Sequence, residues 1–556
     1  MRVERAQAYL GWVERVTAVR AHLGGILLAV AAPIDQLMLA TEINEWALCA
    51  SLIERDPKRW GTLQEALIAA ATADSDAAAV PATVVAPVIE ESAALARFRR
   101  LAAAEALPAV RALLEAAAKR DLSYVMDESE LTLGGGVGSR SFKLTDLPKA
   151  ADVAWDTLSD IPTALVTGSN GKTTTVRLLA ACGRAHGWHV GYNCTDGVFI
   201  DDAALATGDY SGPAGARLVM RDARTQAAIL ETARGGILRR GIAAPRADTA
   251  VVTNISSDHF GEYGIDDLAG LADAKLSVAA AISATGLLVL NADDAMLRMK
   301  AGALERRFGL SPPLGWFALD ADQQYLQEYR RRGAPTCGVR RGALSLHYSG
   351  AEHDLGAIAE MPLSIGGLAS YNIANLAGAA LSAAALGIPA STIAVAYSRF
   401  GKNLNDNPGR LMRFDFNGAR VLVDYAHNPE GLRGLLSVAK QLRTQSGRLG
   451  MLLGTAGNRK DSDIEELARA AGEFRPDLIV IKEDEAHLRG RAPGAVPQLI
   501  RAELLRLGFA AAALAVRETE LAAAHLALEW ARPGDVLVLP LHSPSARSAV
   551  VTLLSG

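Results

Sequence analysis

Along much of the chain, apolar residues come in short unbroken runs that stop at glycine, asparagine or an acidic residue. Runs of that length read as strands covered on both faces. The clearest are Thr163–Thr167, Arg217–Met220, Ala228–Glu231, Thr249–Asn254 and Gly286–Asn291, with helical spacing between several of them. From Ile161 to about Phe400 this alternation predicts an α/β fold, a mostly parallel sheet with helices on both faces. Leu314–His353, with its aromatics and short runs, predicts a β-rich side layer. Tyr371–Gly387 reads as an Ala-rich helix stopped by Gly387-Ile388-Pro389. After Arg410 the alternation restarts. Strands are expected at Arg420–Tyr425, Leu449–Gly454, Leu478–Lys482 and Asp535–Pro540, and helices at Leu432–Leu442 and Ile464–Ala471, giving a second, smaller α/β unit.

The first 125 residues or so have a different pattern. Trp12, Val16 and Val19 fall at helical spacing, as do the apolar positions of Asn44–Ile53, and Ala93–Lys119 is again helical. Ala71–Pro87 has the composition of a loop or linker, and Leu131-Thr132-Leu133 that of a strand. The glycine-rich Gly134–Arg140 that follows reads as a hairpin or junction. The expected division is a mainly helical N-terminal domain over 1–150, a central domain over 151–407 and a C-terminal domain over 408–556. No chemical constellation stands out in the first of these, which reads as a scaffold or oligomerisation unit.

Bulk composition changes this picture little. A net charge of −4 over 556 residues gives no overall pull toward nucleic acid or an anionic membrane. The four cysteines are scattered with no C-x-x-C pair, which argues against a disulfide framework or zinc site and fits a cytoplasmic setting. The apolar run Leu23–Ala32 is too short to span a bilayer. A homodimer is expected only because homo-oligomers are common.

The chemistry gathers around Thr167-Gly168-Ser169-Asn170-Gly171-Lys172-Thr173-Thr174-Thr175. It follows a buried strand and opens a helix, the arrangement in which backbone N–H groups and a helix N-terminus cradle phosphate. Lys172 adds a mobile positive charge, and the Thr173 hydroxyl can sit on Mg²⁺. The general pattern asks for glycine where Val166 stands; here the glycine is Gly168, which gives a tighter loop. Glu231 ends another strand and can hold Mg²⁺, with Arg234-Gly235-Gly236 just beyond it. Asp258 and His259 follow a third strand and can face the same centre. Lys275 lies on a helix, where a solvated side chain is the default. Pro408-Gly409-Arg410 and Asp424-Tyr425-Ala426-His427-Asn428-Pro429 open the last unit. There an aspartate suits ribose hydroxyls and Arg410 suits phosphate oxygens.

Taken in order, these motifs, with Thr253-Asn254, Asn291-Ala292-Asp293-Asp294, and Asn372 with Asn375, resemble the Mur ligase family over roughly residues 160–556. Within it the pattern is similar to the Mur-like half of cyanophycin synthetases, through Thr195-Asp196-Gly197, Leu230–Gly241, Lys482-Glu483-Asp484 and Leu488–Arg491. About 160 residues precede the phosphate loop, and those enzymes carry an ATP-grasp module there, so the resemblance implies that this module is missing here. Ala495 stands where the resemblance would place an acidic residue.

The resemblance implies an ATP- and Mg²⁺-dependent ligase with a Rossmann-like C-terminal domain, joining an amino-acid or short-peptide carboxylate to an amine through an acyl phosphate. Gly168, Ser169, Asn170, Gly171, Lys172, Thr173 and Thr174 would hold phosphates, and Asn372 the adenine. Arg410, Asp424 and His427 would close over ATP. Thr173 and Glu231 would take one Mg²⁺. His259 would take a second, joined by Lys275 if it is carbamylated. Thr195, Asp196, Arg234, Lys482, Asp484, Arg489 and Arg491 would face the substrates. Mixed charge at the last four suits a zwitterionic or cationic amino acid. Three other readings stand beside this one: arginine addition to a β-aspartyl carboxylate, a nucleotide-binding regulatory or assembly subunit without turnover, and a simple phosphate-loop ATPase.

Overall fold

A computed structural model describes residues 1–13, 17–22, 25–59, 90–257, 260–309, 311–483 and 488–556. The central part is built on an eleven-stranded sheet. From one edge, its strands run Ala351–Ala357, Ala343–Tyr348, Thr336–Arg340, Leu314–Asp320, Ile282–Asn291, Ala247–Val252, Thr163–Thr167, Ala227–Glu231, Val190–Cys194, Gly197–Ile200 and Ala203–Thr207. The strands from Thr336–Arg340 to Val190–Cys194 are parallel, and an antiparallel pair closes each edge. The buried strands read as continuous apolar runs because both faces are covered. Helices Lys172–Ala185, Ser370–Ala385 and Ala390–Tyr397 pack on one face. Pro213–Arg221 and Leu268–Leu276 pack on the other. Thr163–Thr167 lies between Ala227–Glu231 and Ala247–Val252, at the point where the strand order reverses, and ligands bind in the crevice at such points.

The six-stranded C-terminal sheet runs Met412–Phe416, Ala419–Asp424, Val536–Pro540, Leu449–Leu453, Leu478–Lys482 and Leu514–Arg517, parallel except for its first strand. It too has an apolar core on each face.

Some sequence expectations differ from what is observed. Arg217–Met220 belongs to a helix, Pro213–Arg221, which starts on proline at its first turn and buries Ala216, Val219 and Met220 at helical spacing. Leu314–His353 is not a separate layer, because its strands extend the main sheet. In the N-terminal part, helices Arg2–Leu10, Leu37–Arg55, Glu91–Glu105 and Pro108–Ala118 share the chain with an antiparallel hairpin, Thr17–His22 and Gly25–Val30. Trp12 therefore follows a helix that ends at left-handed Gly11, and Val19 lies in a strand. Val16 and the expected loop Ala71–Pro87 lie outside the described residues.

The glycine-rich stretch does connect hairpin strands, Glu130–Leu133 and Arg140–Lys143. This small sheet is tied to the central part: Arg221 forms an ion pair with Asp127, and Val137 N–H donates to the Thr225 carbonyl at 2.8 Å. All four cysteines are free; Cys182, Cys194 and Cys337 are buried and Cys49 is half-buried. Among the described residues, no helix is long and apolar enough to cross a membrane.

Candidate active site

The phosphate loop is fixed by its neighbour strand. Ser169 Oγ donates to the Ser256 carbonyl and accepts from Ser256 N–H, both at 3.0 Å. Thr253 Oγ1 and Asn254 Nδ2 donate to the Asn170 carbonyl at 2.5 and 3.1 Å, and Asn254 Oδ1 accepts from Asn170 N–H at 2.9 Å. Gly168 has φ +145°, and a β-carbon there would lie 1.8 Å from Thr253 Oγ1. Only glycine lets the loop approach this closely. Gly171, at φ +83°, starts helix Lys172–Ala185, which no side chain caps among the described residues. An uncapped helix N-terminus suits an anion.

Two ammonium groups converge on this loop. Lys172 Nζ donates to the carbonyls of Gly168 and Ser169, each at 3.1 Å. Lys275, only 4% exposed, reaches the same Gly168 carbonyl from helix Leu268–Leu276 at 2.7 Å. It is not the solvated helical lysine of the default reading.

Opposite them, buried Glu231 accepts from Thr173 Oγ1 at 2.8 Å and from Thr195 Oγ1 at 3.3 Å. Burial pushes its carboxyl above the ordinary range, against the pull of Lys172, the Thr173 hydroxyl and Arg410. The Thr173 hydroxyl and the Glu231 carboxylate are hard oxygen donors that fit Mg²⁺. A Mg²⁺ ion held there would keep several waters and take nucleotide phosphate oxygens, as Mg²⁺ prefers. Asp258 and His259 lie outside the described residues.

The C-terminal part closes the other side of a 570 Å³ cleft. Arg410 lies with its guanidinium 4.3 Å from the Tyr425 ring centroid. Asp424 accepts from the N–H groups of Leu411 and Ala426 at 2.6 and 2.7 Å, and its burial raises its carboxyl pKa despite Arg410. His427 Nδ1 is 3.2 Å from the Tyr425 carbonyl. Buried Asn372 lines the cleft, donates to the Leu363 carbonyl and accepts from Asn375. One amide stitches the halves together at the loop itself, Asn428 Nδ2 donating to Asn170 Oδ1 at 2.8 Å, and at the end of the central part Asn407 Nδ2 donates to Thr174 Oγ1 at 3.2 Å. Asn407 was not legible as a site residue, because nothing local marks it.

The expected substrate residues separate. Thr195 joins Glu231, as above. Asp196 accepts from Arg177 at 3.3 Å and from Arg547 at 3.0 Å. Burial alone would raise its carboxyl, but Arg410, Arg177 and Arg547 hold it below the ordinary range. Arg234 pairs with Glu262 at 2.6 Å, and Glu262 also accepts from Asn458 of the C-terminal part at 2.7 Å. Arg491 donates to the carbonyls of Gly457 and Arg459 and to Asp461, so it pins a loop. Arg489 is exposed, and Asp484 lies outside the described residues.

Lys482 does not face a substrate pocket. It is 1% exposed, and its ammonium pairs with buried Glu520 and donates to the Pro540 carbonyl. Lys482→Ala would strand Glu520 without its partner, so we expect a loss of about 3–5 kcal/mol of stability. Denaturant unfolding measures it; a changed KM at unchanged stability would restore the pocket role.

Comparisons with known proteins agree with this geometry. The sequence matches the Mur ligase middle domain over residues 166–383 and the Mur ligase glutamate ligase domain over 409–540. It is 36% identical over 344 residues to cyanophycin synthetase of Synechocystis sp., a match covering 62% of this chain and 38% of that protein. The chain thus spans well under half the length of that relative. It is 31% identical over 386 residues to the UDP-N-acetylmuramoyl-L-alanyl-D-glutamate–2,6-diaminopimelate ligase of Xanthomonas campestris pv. campestris (strain 8004), covering 67% of this chain and 70% of that one. E. coli FolC, solved with DHPP and ADP, shares the fold at a TM-score of 0.50 and 18% identity, over 71% of this chain and 88% of that one. The chain belongs to the Mur ligase family, whose members are ATP-dependent amide ligases.

Proposed function

We propose that this protein joins the carboxylate of an amino acid or short peptide to an amine at the expense of ATP, releasing ADP and phosphate. One observation carries the reading. Two lysines and a Thr173–Glu231 pair surround a phosphate loop that the other half of the chain touches directly through Asn428. A nucleotide-binding subunit without turnover needs no such pairing of cations with a buried carboxylate.

When bound, ATP supplies the phosphoryl group that activates the carboxylate as an acyl phosphate, and Mg²⁺, held by Thr173 and Glu231, offsets charge on its oxygens. The chain's own residues do the rest. The loop N–H groups and Lys172 bind the β- and γ-phosphates and oppose the charge that builds during transfer. Lys275 holds the loop through the Gly168 carbonyl and adds a second positive charge at that end. Arg410 and Asp424 approach from the C-terminal part, Asp424 toward ribose hydroxyls and Arg410 toward phosphate. Closure between the halves excludes water, which would otherwise hydrolyse the activated acid. The division at residues 150/151 and 407/408 belongs to this reading.

A narrower version adds arginine to a β-aspartyl carboxylate; the 36% identity to cyanophycin synthetase over 344 residues favours it. The test is phosphate release from ATP and Mg²⁺ against a matrix of amino acids and short acidic peptides, with product masses recorded. A pair yielding phosphate and a mass equal to the sum less water is the expected result. ATP cleavage indifferent to both substrates would overturn the ligase reading.

A further inference from the structure

The last helix, Pro544–Ser555, sends Arg547 across to the turn after Val190–Cys194 in the central sheet. We propose that Asp196 and Arg547 are a positioning pair, holding the C-terminal part shut against the phosphate-loop helix and keeping Arg410 aimed into the cleft. What the closed cleft is used for rests on the ligase reading; the closure itself does not.

Three observations support it. First, one carboxylate is shared between the two parts: one Asp196 oxygen takes Arg177, from the phosphate-loop helix, and the other takes Arg547. Anything that pulls the C-terminal part away breaks half of that bridge. Second, Arg547 lies directly on the backbone that presents Arg410. Gly409 has φ +67°, and a β-carbon on it would sit 2.6 Å from Arg547 Cδ. Arg547 is thus the floor of the turn whose next residue stacks on Tyr425. Third, the pair is sheltered, with side chains 13% and 14% exposed. Salt screens such a pair far less than a surface one. A second ion pair across the seam, Lys460–Asp266, is longer, at 3.5 Å, and its side chains are 41% and 46% exposed. The amide contact Asn428–Asn170 across the seam is neutral, so Asp196–Arg547 is the more sheltered of these two charged contacts.

The role is indirect. Asp196 takes one arginine on each oxygen, both from the chain itself, so its placement depends on both parts. Losing Arg547 would let the Gly409–Arg410 turn relax and the seam admit water. Small misplacement of a positioned group costs on the order of 100-fold in rate.

Arg547→Ala, Asp196→Asn and the conservative Arg547→Lys test this on the full chain. In small-angle scattering, the first two should enlarge the radius of gyration relative to wild type, while Arg547→Lys stays close to it. With the substrates found by the matrix, the first two should lower kcat by about 10- to 100-fold. They should also release more than one phosphate per amide formed, and Arg547→Lys should restore the coupling. An unchanged radius of gyration would overturn the proposal. So would a lowered melting temperature with phosphate and amide still released one to one, which marks a merely structural pair. If wild type forms no amide at all, the ligase reading fails while the scattering result still decides the latch.

Discussion

Lys172→Ala is expected to abolish amide formation, by three orders of magnitude or more, while the protein stays folded. The size follows from what the lysine opposes: charge on phosphoryl oxygens in a cleft where little water screens it. A thousandfold loss corresponds to about 4 kcal/mol of transition-state stabilisation. The fold should survive because the Lys172 ammonium bonds only loop carbonyls, and Lys275 also holds the Gly168 carbonyl. Steady-state turnover and a thermal melt on one preparation check both halves of the statement. Turnover retained with the melt unchanged would remove Lys172 from the site.

Glu231→Gln is the second large expected effect, and it carries a gain in stability. Its carboxyl pKa is raised in the folded chain by burial. The folded state therefore binds protons more readily than the unfolded state does, and ionising Glu231 costs stability. That cost is absent below the ordinary carboxylate range, sets in as pH rises through it, and is complete once pH passes the raised folded value. At neutral pH, without nucleotide or metal, the neutral amide should thus melt higher than wild type, as is common when a strained functional charge is removed. Activity should fall by about 100-fold or more, because the carboxylate facing the Thr173 hydroxyl is lost. A variant that melts lower, or keeps its activity, would contradict the assignment.

How much of this was legible in the chain depended on how local the signal was. The strand Thr163–Thr167, the loop and the helix from Lys172 follow one another directly, so apolar run, glycines and lysine announce them together. Leu478–Lys482 was equally plain as a strand, yet Lys482 was assigned to a pocket. A lysine ending an apolar run looks solvent-bound, and nothing nearby reveals that Glu520 is packed beneath it. Arg217–Met220 misled for the opposite reason: a helix buried on one face with a short apolar stretch imitates a strand, and Pro213 was the overlooked signal. The hairpin Thr17–His22/Gly25–Val30 is hard to read because valines at helical spacing mask its alternation. Asn407 and Arg547 could not have been found this way. Their partners lie hundreds of residues off, and an asparagine or arginine in isolation states nothing about which part of the fold it will meet.

Buried Cys194 lies two residues before Asp196, and Arg177 Nη2 is 3.9 Å from its sulfur. Burial raises its thiol to about 11, so in the closed molecule it is both shielded and almost wholly protonated at neutral pH. Alkylation therefore has to wait for the central core to open, since Cys194 lies in the same apolar cluster as Cys182 and Cys337. The rate at which Cys194 is trapped by an excess of reagent becomes a clock on that opening, read by mass spectrometry peptide by peptide. Cys182 and Cys337, buried in the same cluster, should report the same opening, and half-buried Cys49 serves as the reference on the surface of another part. The protein thus carries its own chemical stopwatch, needing no added label.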